Sequence, residues 1–377
     1  MAAKAGPAIE SGAVFAYDMG NDKKSWKGAP TFNASLQNGQ NDVSPWWGDG
    51  TPTSLGIDSS VKFRGRKVAK YQTGSSGNCY INGAGDLSTG TTSTVWTSTI
   101  YLKRVDGTPL TSVTMYQYIT NNTNVNAAQT LTLVEDGWYK AVYTRSGLSA
   151  GYPSLTGMTG LGAGNQYYFA DWQCENNLYS TPWVSGTRSN TQALLDLTGN
   201  HTLTSSSGVI YNSDGTFSFT TTANTSYFDL NSQNIISGTN PFTIEAWTNK
   251  TSGSYGEILG NFGSGYSTGL WFATAGLYIV GSVYHTDYAN SMAGIHHSAA
   301  TRDSSGNVKL YRDGVLVSTG TLTSSIPSNI NFRIGADVNG GAESLGGNIY
   351  NVKVYNQVLT AAEVTQNFNA LRGRYGI

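Results

Sequence analysis

The chain has 377 residues, enough for two domains that each bury a core of ordinary size. Only 12% of the residues are charged, 12% are aromatic and 46 are glycine, which is typical of an all-β, turn-rich protein with a neutral polar surface. The formal net charge of −1 provides no field to attract nucleic acid or an anionic membrane, so we expect neither as a partner.

Short runs that mix β-branched and aromatic residues recur through the first half of the chain. They predict strands at 14–19, 93–105, 129–134, 138–144 and 166–173. Glu135-Asp136-Gly137 predicts a hairpin turn between the third and fourth of these strands. The segment 175–192 contains Pro, Gly and polar residues without a sustained period, so we place the domain boundary there. The first domain is expected over residues 1–189.

Strand patterns are clearer in the second half, residues 190–377. Residues 242–247 alternate Phe, Ile and Ala with Thr, Glu and Trp, which defines two faces of a strand. Residues 307–320 predict two strands joined by Asp313-Gly314, a dipeptide that favours a type I′ turn. Several such units at regular spacing predict a sandwich of antiparallel sheets.

One short helix is predicted near the C-terminus. Thr360 and Glu363 have the spacing of a capping box, which satisfies free backbone N–H groups at a helix start. Val364, Phe368 and Leu371 form one apolar stripe, and Gly373 is suitably placed to end the helix. Because so short a helix is marginal alone, we expect the stripe to dock on a sheet.

Five segments of the second half occur in an order shared with a known superfamily. They are ALLDLTGNHTL (193–203), FTIEAW (242–247), IHHSAATRDSSGNVKLYRDGVLV (295–317), FRIGADVNG (332–340) and LGGNIYNVKVYNQVLTAAEV (345–364). This order resembles the laminin-G-like, concanavalin-A-like superfamily, in which the last segment is a strand, a turn and a short closing helix. The resemblance implies such a sandwich over residues 190–377. It implies no single function, because the fold serves lectins, glycanases and structural modules.

Three other segments are YDMGNDKKSWKGAPTFN (17–33), WQCENNLYSTPWVSGTRS (172–189) and FNALRGRYGI (368–377). They resemble segments of tail and other virion proteins of tailed bacteriophages, where a jelly roll similar to a carbohydrate-binding module precedes a laminin-G-like domain. This resemblance implies a jelly roll over residues 1–189. It also implies a position on the virion surface, with other virion proteins as partners.

Acidic residues do not form an evident catalytic pair. Glycan hydrolysis requires two carboxyl groups roughly 5–10 Å apart. Glu245 has no acidic residue two or four positions away, and we interpret it as part of the polar face of its sheet. Asp171 and Glu175 are four residues apart, which separates them by roughly 13 Å along a strand. We therefore expect a protein without enzymatic activity.

Candidate metal and polar ligand positions are few. His285 and Asp287 share one face of a predicted strand, where they either bind a ligand or hydrogen-bond each other. Asp337 and Asn339 offer oxygen ligands for calcium, and Asx turns explain them as well. We expect no cofactor, with Ca²⁺ at Asp337 and Asn339 as the alternative. Cys79 and Cys174 are too few for a disulfide scaffold and are expected as buried thiols, with a single disulfide as the alternative.

Tryptophans in polar segments are the better signal for glycan binding, because flat rings stack on the C–H faces of sugars. Trp46 and Trp47 in SPWWGDGTP lie between turn residues rather than inside a predicted strand. They either stack on a glycan, plug the end of a sandwich or contact a neighbouring subunit. Trp183 is expected to wedge between the two domains.

These features together predict a non-enzymatic structural protein of the phage virion surface that contacts host glycans as part of a tail fibre or adhesin. A capsid decoration protein and a secreted lectin are the alternatives. The lectin is disfavoured because no Sec-type signal peptide is recognisable. Heptads, triplets and β-repeats of a fibre shaft are not visible, so we expect a compact chain, present as a homo-oligomer or in many copies, that docks on another virion protein.

Overall fold

The computed structural model of the protein describes most of the chain. The described residues are 12–21, 24–32, 46–47, 54–82, 92–120, 125–184, 186–212, 216–221, 225–231, 235–252, 256–261, 269–274, 276–279, 282–285, 293–329, 331–336 and 344–377. Within them the fold is all-β with one C-terminal helix, which confirms the predicted class.

Strands are numbered in chain order. Up to residue 188 they are β1 Ala13–Asp18, β2 Thr31–Phe32, β3 Trp46–Trp47, β4 Ser54–Phe63, β5 Arg66–Gln72, β6 Cys79–Asn82, β7 Trp96–Arg104, β8 Ser112–Ile119, β9 Val125–Thr130, β10 Thr132–Glu135, β11 Trp138–Arg145, β12 Pro153–Thr159, β13 Gln166–Glu175 and β14 Thr187–Arg188. The later elements are β15 Thr204–Ser205, β16 Ile210–Tyr211, β17 Phe217–Ser218, β18 Phe228–Asp229, β19 Phe242–Ser252, β20 Glu257–Gly260, β21 Leu270–Ala273, β22 Gly276–Ile279, β23 Ser282–His285, β24 Gly294–Arg302, β25 Asn307–Arg312, β26 Val315–Thr321, β27 Arg333–Ile334, β28 Gly346–Tyr355 and helix α1 Ala361–Tyr375.

The chain forms two compact units. The central unit is Pro30–Arg188, and the C-terminal unit combines Met1–Ala29 with Ser189–Ile377. Sequence patterns place residues 1–29 in the first domain, but β1 pairs along its length with β28 in the other unit. The reason is that Phe15 and Tyr17, alternating on β1, are both buried in the core of that unit.

The central unit contains two antiparallel sheets. One has the strand order β10-β11-β7-β13-β5-β4 and the other β3-β6-β12-β8-β9. Tyr71, Ile100 and Phe169 of the first sheet share one apolar cluster with Met115 and Met158 of the second. The core therefore lies between the sheets, as in a β-sandwich.

The C-terminal unit is also a sandwich of two larger sheets. Their orders are β1-β28-β19-β24-β25-β26 and β15-β18-β27-β20-β21-β22-β23. Ile244 and Val352 of the six-stranded sheet share an apolar cluster with Phe228, Leu259 and Ile334 of the seven-stranded sheet. Each sheet thus has an inner face in the core and an outer face.

Both predicted hairpin turns are confirmed. Asp136 and Gly137 between β10 and β11 have φ values of 42° and 75°, and Asp313 and Gly314 between β25 and β26 have 50° and 78°. Positive φ at two consecutive residues is the requirement of a type I′ turn, which explains the Asp-Gly sequence at each position.

Helix α1 packs on the outer face of the six-stranded sheet. The Thr360 side chain accepts a hydrogen bond from the Glu363 amide, and the Glu363 carboxylate accepts one from the Thr360 amide, which confirms the capping box. The predicted stripe of Val364, Phe368 and Leu371 is buried. The predicted end at Gly373 is wrong: the helix continues to Tyr375, whose ring lies 4.6 Å from that of Trp247, and Gly376 ends it with a φ of 76°.

A buried polar cluster lies beneath α1. Glu245 is on the outer face of its sheet, but it is only 3% exposed because the helix covers it. Asn367 Nδ2 donates to Glu245 Oε2 at 2.8 Å, and the Tyr355 hydroxyl donates to the same oxygen at 3.4 Å. His297 Nε2 lies 3.8 Å from Glu245 Oε1. Glu245 thus lies on the outer, polar face of its sheet as predicted, but α1 covers that face and the carboxylate anchors the helix.

Replacing Phe368 by Ala is expected to lower the free energy of unfolding by about 3–5 kcal/mol, since the ring is buried against Trp247. Urea unfolding followed by tryptophan fluorescence measures this loss. Asn369→Ala, at an exposed position of the same helix, is the matched control. Equal midpoints for the two variants would contradict the assigned packing of the stripe.

Burial lowers the pKa of His297 from its ordinary value to about 3, with Asp313 opposing the shift and Lys353 adding to it. The unfolded chain takes up a proton near pH 6.5 and the folded chain does not, so stability falls as the pH drops from about 6.5 towards 3. Between pH 7 and pH 5, we expect this group to contribute a loss on the order of 2 kcal/mol. In urea titrations at both pH values, His297→Gln should lose less stability than the parent protein, and a parallel loss would refute the assignment.

Candidate functional site

A row of residues crosses the outer face of the seven-stranded sheet. In register they are Thr204 on β15, Asp229 on β18, Arg333 on β27, Gly260 on β20 and Trp271 on β21. Directly opposed residues of antiparallel strands lie on the same face. Their chain neighbours Phe228, Ile334 and Leu259 are in the core, so the row faces outward. We call these five residues the outer row.

Asp229 and Arg333 form the polar centre of the outer row. Arg333 Nε lies 3.5 Å from Asp229 Oδ2, with the two side chains 18% and 20% exposed. The guanidinium carbon lies 4.0 Å from the ring centroid of Tyr227, which holds the cation over an aromatic face. Asn331 Nδ2 and the Asn231 amide both donate to Asp229 Oδ1, at 3.3 and 2.7 Å. The pair is therefore fixed in place and still reaches solvent.

Gly260 makes room for a second carboxylate in the outer row. A Cβ atom at Gly260 would lie closer to Glu257 Oε1 than van der Waals contact allows, and it would lie 2.8 Å from the carbonyl oxygen of Leu270. The Glu257 side chain thus occupies the space over the glycine, between Arg333 and Trp271. It is completely buried, and Trp271 is 7% exposed. Exposure along the outer row therefore falls from Asp229, which reaches solvent, to Gly260, where the neighbouring Glu257 side chain is enclosed.

The exposed polar groups of the outer row are suited to hydrogen bonding. A carboxylate accepts hydrogen bonds and a guanidinium donates them, so the exposed edges of Asp229 and Arg333 match hydroxyl groups that can do both. Asp229 and Glu257 are two strands apart, which separates them by about 10 Å. Because Glu257 is buried, a substrate reaching Asp229 would not reach both carboxyl groups. The arrangement supports binding more readily than acid–base catalysis.

Trp46 and Trp47 differ from their predicted setting. They form the short strand β3, which pairs with Tyr80 and Ile81 of β6, rather than a turn. The edge of β6 supplies backbone partners that the flanking turn residues do not reveal. Their role in glycan stacking or in plugging the sandwich stays a prediction.

The remaining predicted ligands fall largely outside the described residues. His285 is in β23 and pairs with Gly276, whereas Asp287, Asp337 and Asn339 lie outside the described residues. Among the residues that the structure describes, no group of three or more His, Cys, Asp or Glu is arranged to hold a metal ion. Calcium binding at Asp337 and Asn339 therefore stays an untested alternative.

Cys79 and Cys174, both within the described ranges, are buried thiols of separate apolar clusters and are not joined in a disulfide. Burial raises the pKa of the Cys174 thiol to about 12 and that of Cys79 well above its ordinary value. A raised pKa favours the protonated thiol over the thiolate, which is the reactive form. They serve as small core residues.

Residues 220–365 match the family model of the concanavalin A-like lectin/glucanases superfamily. The C-terminal unit contains a concanavalin-A-like domain. Solved structures similar to the chain include domain 4 of the arabinanase AbnA from Geobacillus stearothermophilus in complex with arabinotriose, at 18% identity and a TM-score of 0.38, covering 48% of this chain and 92% of that one. No curated protein sequence matches significantly.

Two bacterial toxin structures are also similar to the chain. One is the binding domain of Paraclostridial Mosquitocidal Protein 1, at 17% identity and a TM-score of 0.34, covering 47% of this chain and 49% of that one. The other is a botulinum neurotoxin type C structure, described with its interaction with two ganglioside molecules, at 16% identity and a TM-score of 0.36, covering 48% of this chain and 50% of that one. The chain spans about half the length of these toxin structures.

The outer row of the concanavalin-A-like domain is not evident from the sequence patterns. Asp229 lies between Phe228 and Leu230, and Arg333 lies between Phe332 and Ile334. A charged residue between two large apolar residues on a strand is the signal of an outer-face position. It does not reveal that the two strands are neighbours.

Replacing Gly260 by Ala is expected to destabilise the concanavalin-A-like domain by about 1–3 kcal/mol, because the added methyl group meets Glu257 and the Leu270 carbonyl group. The control is Gly373→Ala, where nothing lies within 4 Å of the added Cβ and the helix should gain stability. Differential scanning calorimetry compares the two. A melting temperature of Gly260→Ala at or above that of the parent would contradict the enclosed position of Glu257.

Among the described residues, no helix is long and apolar enough to cross a membrane.

Proposed function

We propose that the protein is a non-catalytic glycan-binding protein and that the outer row of its concanavalin-A-like domain contacts the sugar. The observation that carries this proposal is the partly exposed Asp229–Arg333 pair on the outer face of the seven-stranded sheet. The opposite sheet has its outer face covered by α1, whose stripe is buried there. The seven-stranded sheet is therefore the favoured surface for a ligand.

The fixed geometry of the pair suits neighbouring hydroxyl groups of a sugar. Tyr227 beneath the guanidinium and Asn331 beside the carboxylate restrict both side chains before a ligand arrives. Preorganised groups lose less conformational entropy on binding. The contact area of five strands is small, so we expect weak binding per copy and useful attachment only through many copies.

The finer proposal is that these copies are displayed on the surface of a bacteriophage particle, as part of a tail fibre or adhesin, with capsid decoration as the second candidate. It is supported by the resemblance of residues 17–33, 172–189 and 368–377 to virion segments. Two of these segments meet in the fold: Arg374 Nη1 lies 2.8 Å from Asp18 Oδ1. Mass spectrometry of purified particles tests this placement, and absence of the chain from particles of its own phage would overturn it.

Glycan arrays with the full-length protein test the binding proposal. Arg333→Ala and Asp229→Asn should each weaken binding to the recognised glycan at least tenfold, with each single contact worth about 1.5 kcal/mol or more. Asp303→Asn is the matched control, because Asp303 also accepts backbone hydrogen bonds but lies in the turn between β24 and β25. Equal binding by all variants would overturn the assigned surface. Release of reducing sugars from a bound glycan would overturn the non-catalytic assignment.

A further inference from the structure

The segment KFRGRKVAK, residues 62–70, concentrates positive charge in a chain that is almost neutral overall. It contains Lys62, Arg64, Arg66, Lys67 and Lys70, five of the 22 basic residues, within nine positions. It forms the tip of the β4–β5 hairpin, where Arg64 and Gly65 have φ values of 50° and 80°. Arginine at a positive φ is unusual, since it costs conformational energy that glycine avoids.

The hairpin tip folds over the outer face of the six-stranded sheet of the central unit. β5 pairs with β13 only from Ala69 to Gln72. Beyond that point β13 bulges between Ala170 and Gln173. The Phe63 ring packs 4.8 Å from Tyr101 and 4.7 Å from Trp138, and it is 1% exposed. The tip is thus anchored by packing of Phe63 on the rings of Tyr101 and Trp138.

This anchoring holds several cations in place. The Arg64 guanidinium lies 4.9 and 5.0 Å from the ring centroids of Phe63 and Tyr101. Arg66 lies 4.9 Å from the Trp183 ring, and Lys140 Nζ lies 6.0 Å from the Tyr101 ring. Two cations of the tip, Arg64 and Arg66, are therefore held against aromatic rings, with Lys140 of β11 near the same Tyr101 ring.

Acidic residues balance only part of this charge. Arg64 pairs with Glu135 at 3.1 Å, and Arg66 pairs with the buried Asp171. Within the described residues, Lys62, Lys67 and Lys140 have no carboxylate within ion-pair distance. Burial lowers the pKa of Lys140, against the opposing effect of Glu175, and Arg64 lowers it further. An anion bound here would relieve the repulsion between the Lys140 and Arg64 cations.

Lys62 and Lys67 provide further evidence that the positive charge of the tip is not balanced by carboxylates among the described residues. They are cross-strand partners in the β4–β5 ladder, and both are exposed. Like charges directly opposite each other destabilise a strand pair. Arg64 lies between them in the sequence at the tip of the same hairpin, so the fold brings three cations close together.

We propose that Lys62, Arg64, Arg66, Lys67 and Lys140, the cationic hairpin site, bind an anionic polysaccharide through its carboxylate or sulfate groups. The site is in the central unit, whereas the outer row is in the other unit, so it adds a charge-selective contact to the proposed function. The choice of a polysaccharide as the ligand rests on the proposed glycan-binding function, whereas the location of the site does not. Ammonium and guanidinium groups that lie close together match anions repeated along a chain.

A polysaccharide fits the site better than a nucleic acid. Single-stranded nucleic acids bind where exposed aromatic rings stack on successive bases. Phe63, Tyr101 and Trp138 are each less than 10% exposed, because the hairpin itself covers them. The net charge of −1 also provides no extended field along a duplex.

The test uses the full-length protein and biolayer interferometry with polygalacturonic acid, dextran sulfate, neutral dextran and single-stranded DNA at 50 and 300 mM NaCl. Binding to at least one anionic polysaccharide, weakened tenfold or more at the higher salt concentration, is the expected result. A response to polygalacturonic acid alone identifies carboxylate as the ligand group, and a response to dextran sulfate alone identifies sulfate. Equal binding of neutral dextran, tighter binding of DNA, or binding of neither polyanion would overturn the proposal.

Variants locate the site. The double substitution Lys62→Gln with Lys67→Gln should weaken polyanion binding at least tenfold and leave the melting temperature equal or higher, since it removes a repulsion. Lys24→Gln with Lys309→Gln removes the same charge from exposed positions of the other unit and should bind as the parent does. An equal loss in both double variants would show non-specific charge attraction and overturn the site. Arg333→Ala should retain polyanion binding, so this proposal and the outer-row proposal can fail separately.

Discussion

The pairing of β1 with β28 is the interaction on which the organisation of the chain depends. β1 ends at Asp18, β28 begins at Gly346, and the six-stranded sheet needs both. The central unit is consequently an insertion between residues 29 and 189, and the short pairing of β2 with β14 brings its two ends together. Contacts between residues so far apart in the sequence form slowly, because the entropy cost of closing the loop is incurred before the contact contributes any stabilisation. Folding of the C-terminal unit therefore requires β1 and β28, which are far apart in the sequence, to pair.

Buried carboxylates serve the fold in three places. Glu245 anchors α1 through Asn367, and Glu175 accepts hydrogen bonds from the Thr31 hydroxyl and the Thr181 amide, at 2.9 and 2.8 Å. Asp171, at a φ of 51° in the β13 bulge, holds the cationic hairpin through Arg66. A buried carboxylate is stable only when it is paired or hydrogen-bonded. Isolated acidic residues in a strand-rich sequence of this kind therefore indicate anchoring as readily as catalysis.

Local rules predicted what depends on local contacts. The Thr360–Glu363 capping box, the Val364 stripe and the two Asp-Gly turns are set by residues within a few positions of one another. The end of α1 was not predictable from Gly373, because Tyr375 docks on Trp247, more than 120 positions away in the chain. The outer row was missed for the same reason, since strand pairing assembles it from distant segments, and Tyr101 and Trp138 beneath the hairpin site are likewise brought there from distant strands. Amino-acid composition predicts the all-β fold class but not which strands are neighbours in a sheet.

The two proposed surfaces differ in the range over which they act. The outer row offers a carboxylate and a guanidinium that neutralise each other, so under the proposed function it would recognise hydroxyl groups only at hydrogen-bond distance. The hairpin site carries excess charge, but at physiological ionic strength its field decays within about 8 Å. Since the whole chain is close to neutral, neither surface steers a distant polymer, and both act after the first contact. If the protein is displayed in many copies, as proposed, attachment would depend on the number of copies that dissociate together, and slow release rather than fast capture would be the physical basis of binding.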